Sequence, residues 1–95
     1  MALARVVRFE NTNRDNVDRI KRSIDEGDLP EGMPPAEFLL LHDPADGSAL
    51  SIVIVASEDD YRRVDEILGS VPADEAAGRR TSVTKYEVAV HASTS

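Results

Sequence analysis

Two histidines and two tyrosines carry much of the acid–base chemistry that this 95-residue chain could direct at a substrate. His42 stands next to Asp43, and an imidazole beside a carboxylate can act as a general base. The alternative interpretation is that His42 is a solvated residue at the entry to a hairpin. His91, near the end of the last predicted strand, could reach a ligand or a second subunit, or could simply be exposed. Tyr61, in the first turn of a predicted helix, is placed to border a cleft.

Arg5 interrupts an otherwise apolar strand, and a buried guanidinium requires an anionic partner. That partner could be Glu87 on a neighbouring strand or the carboxylate of a ligand, and an exposed strand end is a third interpretation. Asn11 ends the same strand and reads as a turn residue or a ligand contact. Tyr86 is predicted to pack in the core. The candidate ligand-binding residues are Arg5, Asn11, His42, Tyr61 and His91.

Composition excludes several kinds of site. The chain has no cysteine, so disulfides, thiolate metal sites and a cysteine nucleophile are ruled out. Two histidines without metal-ligand spacing make a zinc site an unfavourable interpretation, and we expect no cofactor. The formal net charge of -7 repels phosphate backbones and argues against nucleic-acid binding. The dipeptide Arg79-Arg80 is interpreted as solvated.

The hydropathy pattern predicts neither export nor membrane insertion. Arg5 and Arg8 fall inside the short apolar run at the start of the chain, which is unlike a signal peptide. No segment approaches the roughly 20 apolar residues that a membrane-spanning helix requires. We therefore expect a cytoplasmic protein.

The elements that would position these residues follow the order β-α-β-β-α-β. This is the split β-α-β arrangement of a ferredoxin-like α+β fold with two helices on one face of a four-stranded antiparallel sheet, and 95 residues suit a single domain, 1–95. Apolar spacing and start signals predict helices that begin near Thr12 and at Ser57. The strands are predicted over 3–10, 37–42, 49–56 and 84–91, with a further short helical segment over 72–77.

Three of the four strands are apolar on both sides, which is unusual for a two-layer domain. Phe38 and Leu40 are predicted on one face of the strand, and the equally apolar Leu39 and Leu41 on the opposite face. The strand over 49–56 repeats this pattern. Each large apolar side chain left in water would forgo about 1.5–3 kcal/mol of burial, and together they would form an adhesive patch. A chain of this size has no spare element to cover that face. We therefore predict a two-fold homodimer through the sheet.

Four segments together resemble the antibiotic biosynthesis monooxygenase-like superfamily of dimeric α/β barrels. They are Ala4-Arg5-Val6-Val7-Arg8-Phe9-Glu10, the hairpin from Leu39 to Leu50 with Asp43 and Gly47, Ser57-Glu58-Asp59-Asp60, and Val83-Thr84-Lys85-Tyr86-Glu87-Val88. The resemblance spans nearly the whole chain at the level of fold patterns. It implies a dimer whose two sheets form a barrel, and a small-molecule cleft between sheet and helices in each subunit.

The same resemblance leaves enzymatic activity open. The superfamily's cofactor-free oxygenases and haem-degrading members use a polar trio that includes an Asn on the first strand and a Trp. This chain offers Asn11 but has no Trp. Two functions follow as hypotheses. The first is a dimer that binds a small apolar or aromatic molecule, with a cofactor-independent monooxygenase-like protein as its catalytic form, and the second is a non-catalytic dimerisation or interaction module. The first predicts an apolar cavity with a few convergent polar groups, and the second predicts a filled one.

Overall fold

The computed structural model describes residues 2–27, 29–70 and 78–94. Its strands are β1 (Leu3–Glu10), β2 (Glu37–Asp43), β3 (Ser48–Val55) and β4 (Arg79–Glu87), and its helices are α1 (Arg14–Asp25) and α2 (Glu58–Gly69). The predicted short helix over 72–77 lies outside the described residues. No helix within these ranges is long and apolar enough to cross a membrane.

The four strands form one open antiparallel sheet in the order β2-β3-β1-β4. With the chain order β-α-β-β-α-β, this confirms the predicted ferredoxin-like α+β fold. The central strand β1 places Arg5 opposite Val53 of β3 on one side and Lys85 of β4 on the other. Because side chains alternate along strands, this register determines which residues share each face of the sheet.

Both helices begin at a polar cap. Asn13 Oδ1 accepts a 2.8 Å hydrogen bond from the amide of Asn16, and Ser57 Oγ accepts one of 3.2 Å from Asp60. The predicted start of α2 at Ser57 is therefore confirmed. Thr12 is not the cap of α1, because it is buried and its amide donates to the carbonyl of Gly47 at 2.8 Å, which ties the chain to the β2–β3 hairpin.

The core lies between the sheet and the helices. The alternate residues of β1 that begin with Leu3 are buried on this face, which we call the helix face. One buried cluster joins β1 and β3 to Tyr61 and Val64 of α2. A second contains Val7, with Ile20 of α1 only partly buried against it. Helix α2 thus closes one part of the helix face, whereas α1 has no fully buried residue.

The position of the last strand was predicted incorrectly. The expected range was 84–91, but β4 runs from Arg79 to Glu87 and is exposed throughout. Glu87 lies opposite Leu3, where β1 begins, so residues further along have almost no strand to pair with. One more hydrogen bond, from the amide of Val88 to the carbonyl of Ala2 at 2.9 Å, ends the ladder.

The opposite face of the sheet is apolar and uncovered in the single chain. We call it the outer face; its large apolar side chains are Val6, Leu39, Leu41, Leu50, Ile52, Ile54 and Tyr86. Leu39, Leu41 and Tyr86 are 47%, 49% and 54% exposed. The prediction that Tyr86 packs in the core is therefore wrong for the single chain, while the expected two-sided apolar strands are present.

Candidate functional site

A cleft of about 460 Å³ separates α1 from the helix face of the sheet. The space is left open because α1 buries none of its residues completely and packs against the second buried cluster through the partly buried Ile20. The volume falls within the range of small-molecule sites. The apolar part of the wall comes mainly from two strands and both helices, through Val7, Phe9, Phe38, Leu40, Ile20, Ile24 and Leu68.

Arg5 is the buried polar residue of this cleft. It lies on the central strand, is only 4% exposed and lines the cavity. Its Nε donates a 2.9 Å hydrogen bond to Oδ1 of Asp65 on α2, and this is its one side-chain hydrogen bond among the described residues. The Asp65 side chain is 52% exposed, so solvent competes for its charge. The sequence therefore identified a buried guanidinium correctly, but its partner is Asp65 and not Glu87.

Two cations on the strands face two carboxylates on α2. Arg5 and Lys85 are directly opposite across β1 and β4, where like charges repel. Asp65 pairs with Arg5, and Glu58 pairs with Lys85, so helix and sheet are joined by two ion pairs. The Lys85 ammonium also lies 5.0 Å from the centre of the Tyr61 ring, within cation–π range.

Tyr61 belongs to the core and does not border the cleft. It is 7% exposed and packs with Leu3, Val53 and Val64. Burial, and secondarily the nearby carboxylate of Asp65, raise the pKa of the Tyr61 phenol above its ordinary value. The phenol is thus held in its neutral form.

Further polar groups lie at or near the cleft wall. Ser51 contributes to the lining from β3, opposite Val7. Gly78 also lines the cleft, and a Cβ atom built there would lie 2.9 Å from Oγ1 of Thr12. That hydroxyl oxygen is buried and has no hydrogen-bond partner in the part of the chain that the structure describes.

His42 faces the helix side of β2 but is absent from the cleft lining. Its Nε2 is buried and, within the described ranges, has no hydrogen-bond partner. No hydrogen bond joins the His42 and Asp43 side chains among the described residues; Oδ1 of Asp43 accepts from the amide of Ala45 in the hairpin turn at 3.0 Å. The geometry therefore gives no support to a His42–Asp43 general base acting in this cleft.

Asn11 and His91 also lie away from the cleft lining. Asn11 is exposed and adopts a left-handed backbone with φ of 56° at the end of β1, as a turn residue does. His91 is exposed beyond β4, with Nε2 3.3 Å from a carboxylate oxygen of Glu37. Of the five candidate ligand-binding residues, Arg5 alone lines the cleft.

The sequence interpretation missed the residues that α1 and the start of β4 bring to the cleft. Ile20 and Ile24 fit the apolar spacing of the first predicted helix, which indicates core packing, and Arg80 belongs to the dipeptide interpreted above as solvated. Their spacing was visible, but the incomplete burial of α1 that makes them lining residues was not. For Asp65 a signal was available, because it follows Tyr61 by four residues and so lies on the sheet side of α2.

The described residues contain no group of three His, Cys, Asp or Glu side chains that could hold a metal ion. The chemistry that the cleft offers is thus apolar contact together with hydrogen bonding and charge from arginine. No protein-family model and no curated protein matches this sequence.

Proposed function

We propose that this protein binds a small apolar or aromatic molecule in the cleft between α1 and the sheet. The observation that carries the proposal is a buried guanidinium, that of Arg5, set in an otherwise largely apolar cavity of about 460 Å³. Ligand sites in proteins typically combine an apolar lining with a few polar groups that orient the ligand. A core built only for stability would instead fill such a space, because interiors pack densely.

The proposal extends to assembly as a homodimer through the outer face. Its support is the row of half-exposed side chains on β2 and β4 that includes Leu39, Leu41 and Tyr86. Removing such side chains from water is favourable by about 25 cal/mol per Å². Two-fold pairing of one sheet on another is a closed arrangement that would cover both copies at once.

The ferredoxin-like fold and the cleft on the helix face support the further proposal that the chain belongs to the antibiotic biosynthesis monooxygenase-like superfamily, with which the proposed dimer would agree. A cofactor-independent monooxygenase-like activity on an aromatic substrate is the catalytic form of this proposal. Ligand binding is the more general form and can be tested first.

The test uses the neutral fluorescent probe N-phenyl-1-naphthylamine, whose emission rises in an apolar site. We expect saturable binding to the wild-type protein. Ser51→Phe should weaken it by about tenfold or more, because the ring would occupy the cleft from β3. Ile24→Phe is a second filling variant, on a helix side chain that is already 37% exposed and therefore tolerant of change.

Leu41→Ser is the matched control, since Leu41 lies on the outer face, away from the cleft. It should leave probe affinity unchanged, and circular dichroism checks the fold of every variant. Absence of saturable binding to the wild-type protein would contradict the proposal. If Leu41→Ser loses probe binding while the two filling variants keep it, the probe binds on the outer face and not in the cleft.

The alternative function is a non-catalytic dimerisation or interaction module. The exposed apolar side chains of the outer face favour it, because assembly alone would account for them. It predicts self-association with no saturable occupation of the cleft, so the same titration separates the two functions.

A further inference from the structure

We infer that the ligand of this cleft is an amphipathic anion: an apolar body that carries one acidic group, of the carboxylate, sulfonate or phosphate type, held by Arg5. The inference rests on the proposed function, because it specifies the class of molecule that the cleft would take.

The charge of the cleft opposes the charge of the chain. The whole sequence has 18 acidic and 11 basic residues. Yet the charged residues that line the cleft within the described ranges are Arg5, Arg79 and Arg80, with no aspartate or glutamate among them. A concave, largely apolar surface with charges of one sign concentrates ions of the opposite sign. An anion is therefore favoured at this place on a protein that otherwise repels anions.

Arg5 has hydrogen-bonding capacity that the protein does not use. A guanidinium carries five N–H donors in a planar fork, and the Arg5 side chain donates one hydrogen bond within the described part of the chain, from Nε to Asp65. No nitrogen of Arg5 is among the fully buried, unpaired side-chain atoms of the described residues, and Arg5 lines the cleft, so its unused donors are available to a ligand there. The Nη groups can form the paired hydrogen bonds with which arginine recognises carboxylate and phosphate oxygens.

The distribution of the cations indicates a single acidic group on the ligand. Arg5 is the buried cation, whereas Arg79 and Arg80 are exposed at the start of β4. Arg79 is already paired with Glu10 at 2.7 Å, while Arg80 has no ion pair among the described residues. The rest of the lining is mostly apolar, so a sugar phosphate or nucleotide would leave many polar groups unpaired. A fatty acid or aromatic acid would not.

The experiment compares two probes that share one ring system. 8-Anilinonaphthalene-1-sulfonate carries a sulfonate, and N-phenyl-1-naphthylamine does not. We expect the wild-type protein to bind the sulfonate at least about tenfold more tightly, as a charge-assisted hydrogen bond allows. Arg5→Met should abolish this preference. Arg5→Lys keeps a charge for Asp65 but loses the fork, so the preference should fall to about threefold.

Asp65→Asn is the matched control for a merely structural role of Arg5. It removes the carboxylate that competes for the guanidinium, so sulfonate binding should be retained or strengthened even if the fold is less stable. If Asp65→Asn loses the preference as Arg5→Met does, Arg5 acts only as one half of an ion pair and the inference is overturned.

The remaining outcomes separate this inference from the proposed function. Equal affinity of the wild-type protein for the two probes would overturn the anionic ligand while the apolar cleft stands. Binding of neither probe would overturn both. A sulfonate preference that survives Ser51→Phe, Ile24→Phe and Arg5→Met would place the anion elsewhere on the surface and also overturn the inference.

Discussion

Arg5 is a buried cation that joins the central strand to α2. Its position inside an apolar strand predicted burial, because alternation along β1 places it on the same face as Leu3 and Val7. The spacing from Tyr61 indicates that Asp65 faces the sheet, but it does not indicate which strand residue Asp65 contacts, since Arg5 lies 60 residues away in the chain. The position of α2 over the strands is determined by the packing of Tyr61 and Val64 in the core. This packing determines which residue of α2 contacts Arg5.

Tyr61 gives a pH-dependent prediction at the same scale. Because burial raises its pKa above 10 in the folded state, the neutral phenol stabilises the fold below pH 10, and this contribution is lost as pH rises through the folded-state pKa. Tyr61→Phe cannot ionise. We expect the free energy of unfolding of the variant to be within about 1 kcal/mol of wild type at pH 8 and to fall less steeply at more alkaline pH.

Urea denaturation at pH values between 8 and 11 would measure this difference. Tyr61→Phe retains Lys85 and the other alkaline groups, so the comparison isolates the phenol. Parallel stability curves for the two proteins would contradict the raised pKa.

At the scale of secondary structure, the predicted elements appear in the predicted order among the described residues, and the predicted range of β1 matches the observed one. The largest error concerns β4. Its apolar alternation continues past Glu87 into residues that have no partner strand, because β1 begins opposite that point. Hydropathy pattern therefore located the strands whose apolar side chains pack on the helix face, including the edge strand β2, but not the exposed strand β4, whose limits are determined by pairing with β1.

The start of β4 yields a prediction for Gly78. Its φ of 155° disfavours other residues, and a Cβ atom there would lie 2.5 Å from the carbonyl oxygen of Glu10. We expect Gly78→Ala to lower the free energy of unfolding by about 1–3 kcal/mol, because backbone atoms must move. Gly69→Ala, at the end of α2 with open space around it, should instead be neutral or stabilising by up to about 1 kcal/mol.

Thermal or urea denaturation of both alanine variants would check this contrast. Equal effects of the two substitutions would show that the crowding at Gly78 does not constrain the fold.

At the scale of the whole molecule, the outer face governs how copies of the chain would associate. A standard interface buries about 800 Å² on each partner, and a patch that runs across all four strands offers side chains for one. We expect the wild-type protein to sediment at twice the mass of the chain at micromolar concentration. Leu41→Lys should shift it toward the monomer, because each interface would bury an unpaired charge.

Leu29→Lys is the matched control, since Leu29 is also a partly exposed apolar residue but lies outside the sheet. It should leave the sedimentation of the dimer unchanged. A wild-type protein that is monomeric at this concentration and remains in solution would contradict assembly through the outer face.

The position of β2 at the margin of the sheet has a consequence for the protein during synthesis and storage. β2 pairs with β3 on one side only, so the N–H and C=O groups of its other edge are available to pair with a strand of another protein chain. The stretch Phe38-Leu39-Leu40-Leu41 is an apolar run on an edge strand, the kind of segment that is prone to aggregate, and Glu37 and Asp43 flank it as charged gatekeepers. We therefore expect these two carboxylates to oppose aggregation when the strand is transiently unpaired, a role independent of any bound molecule.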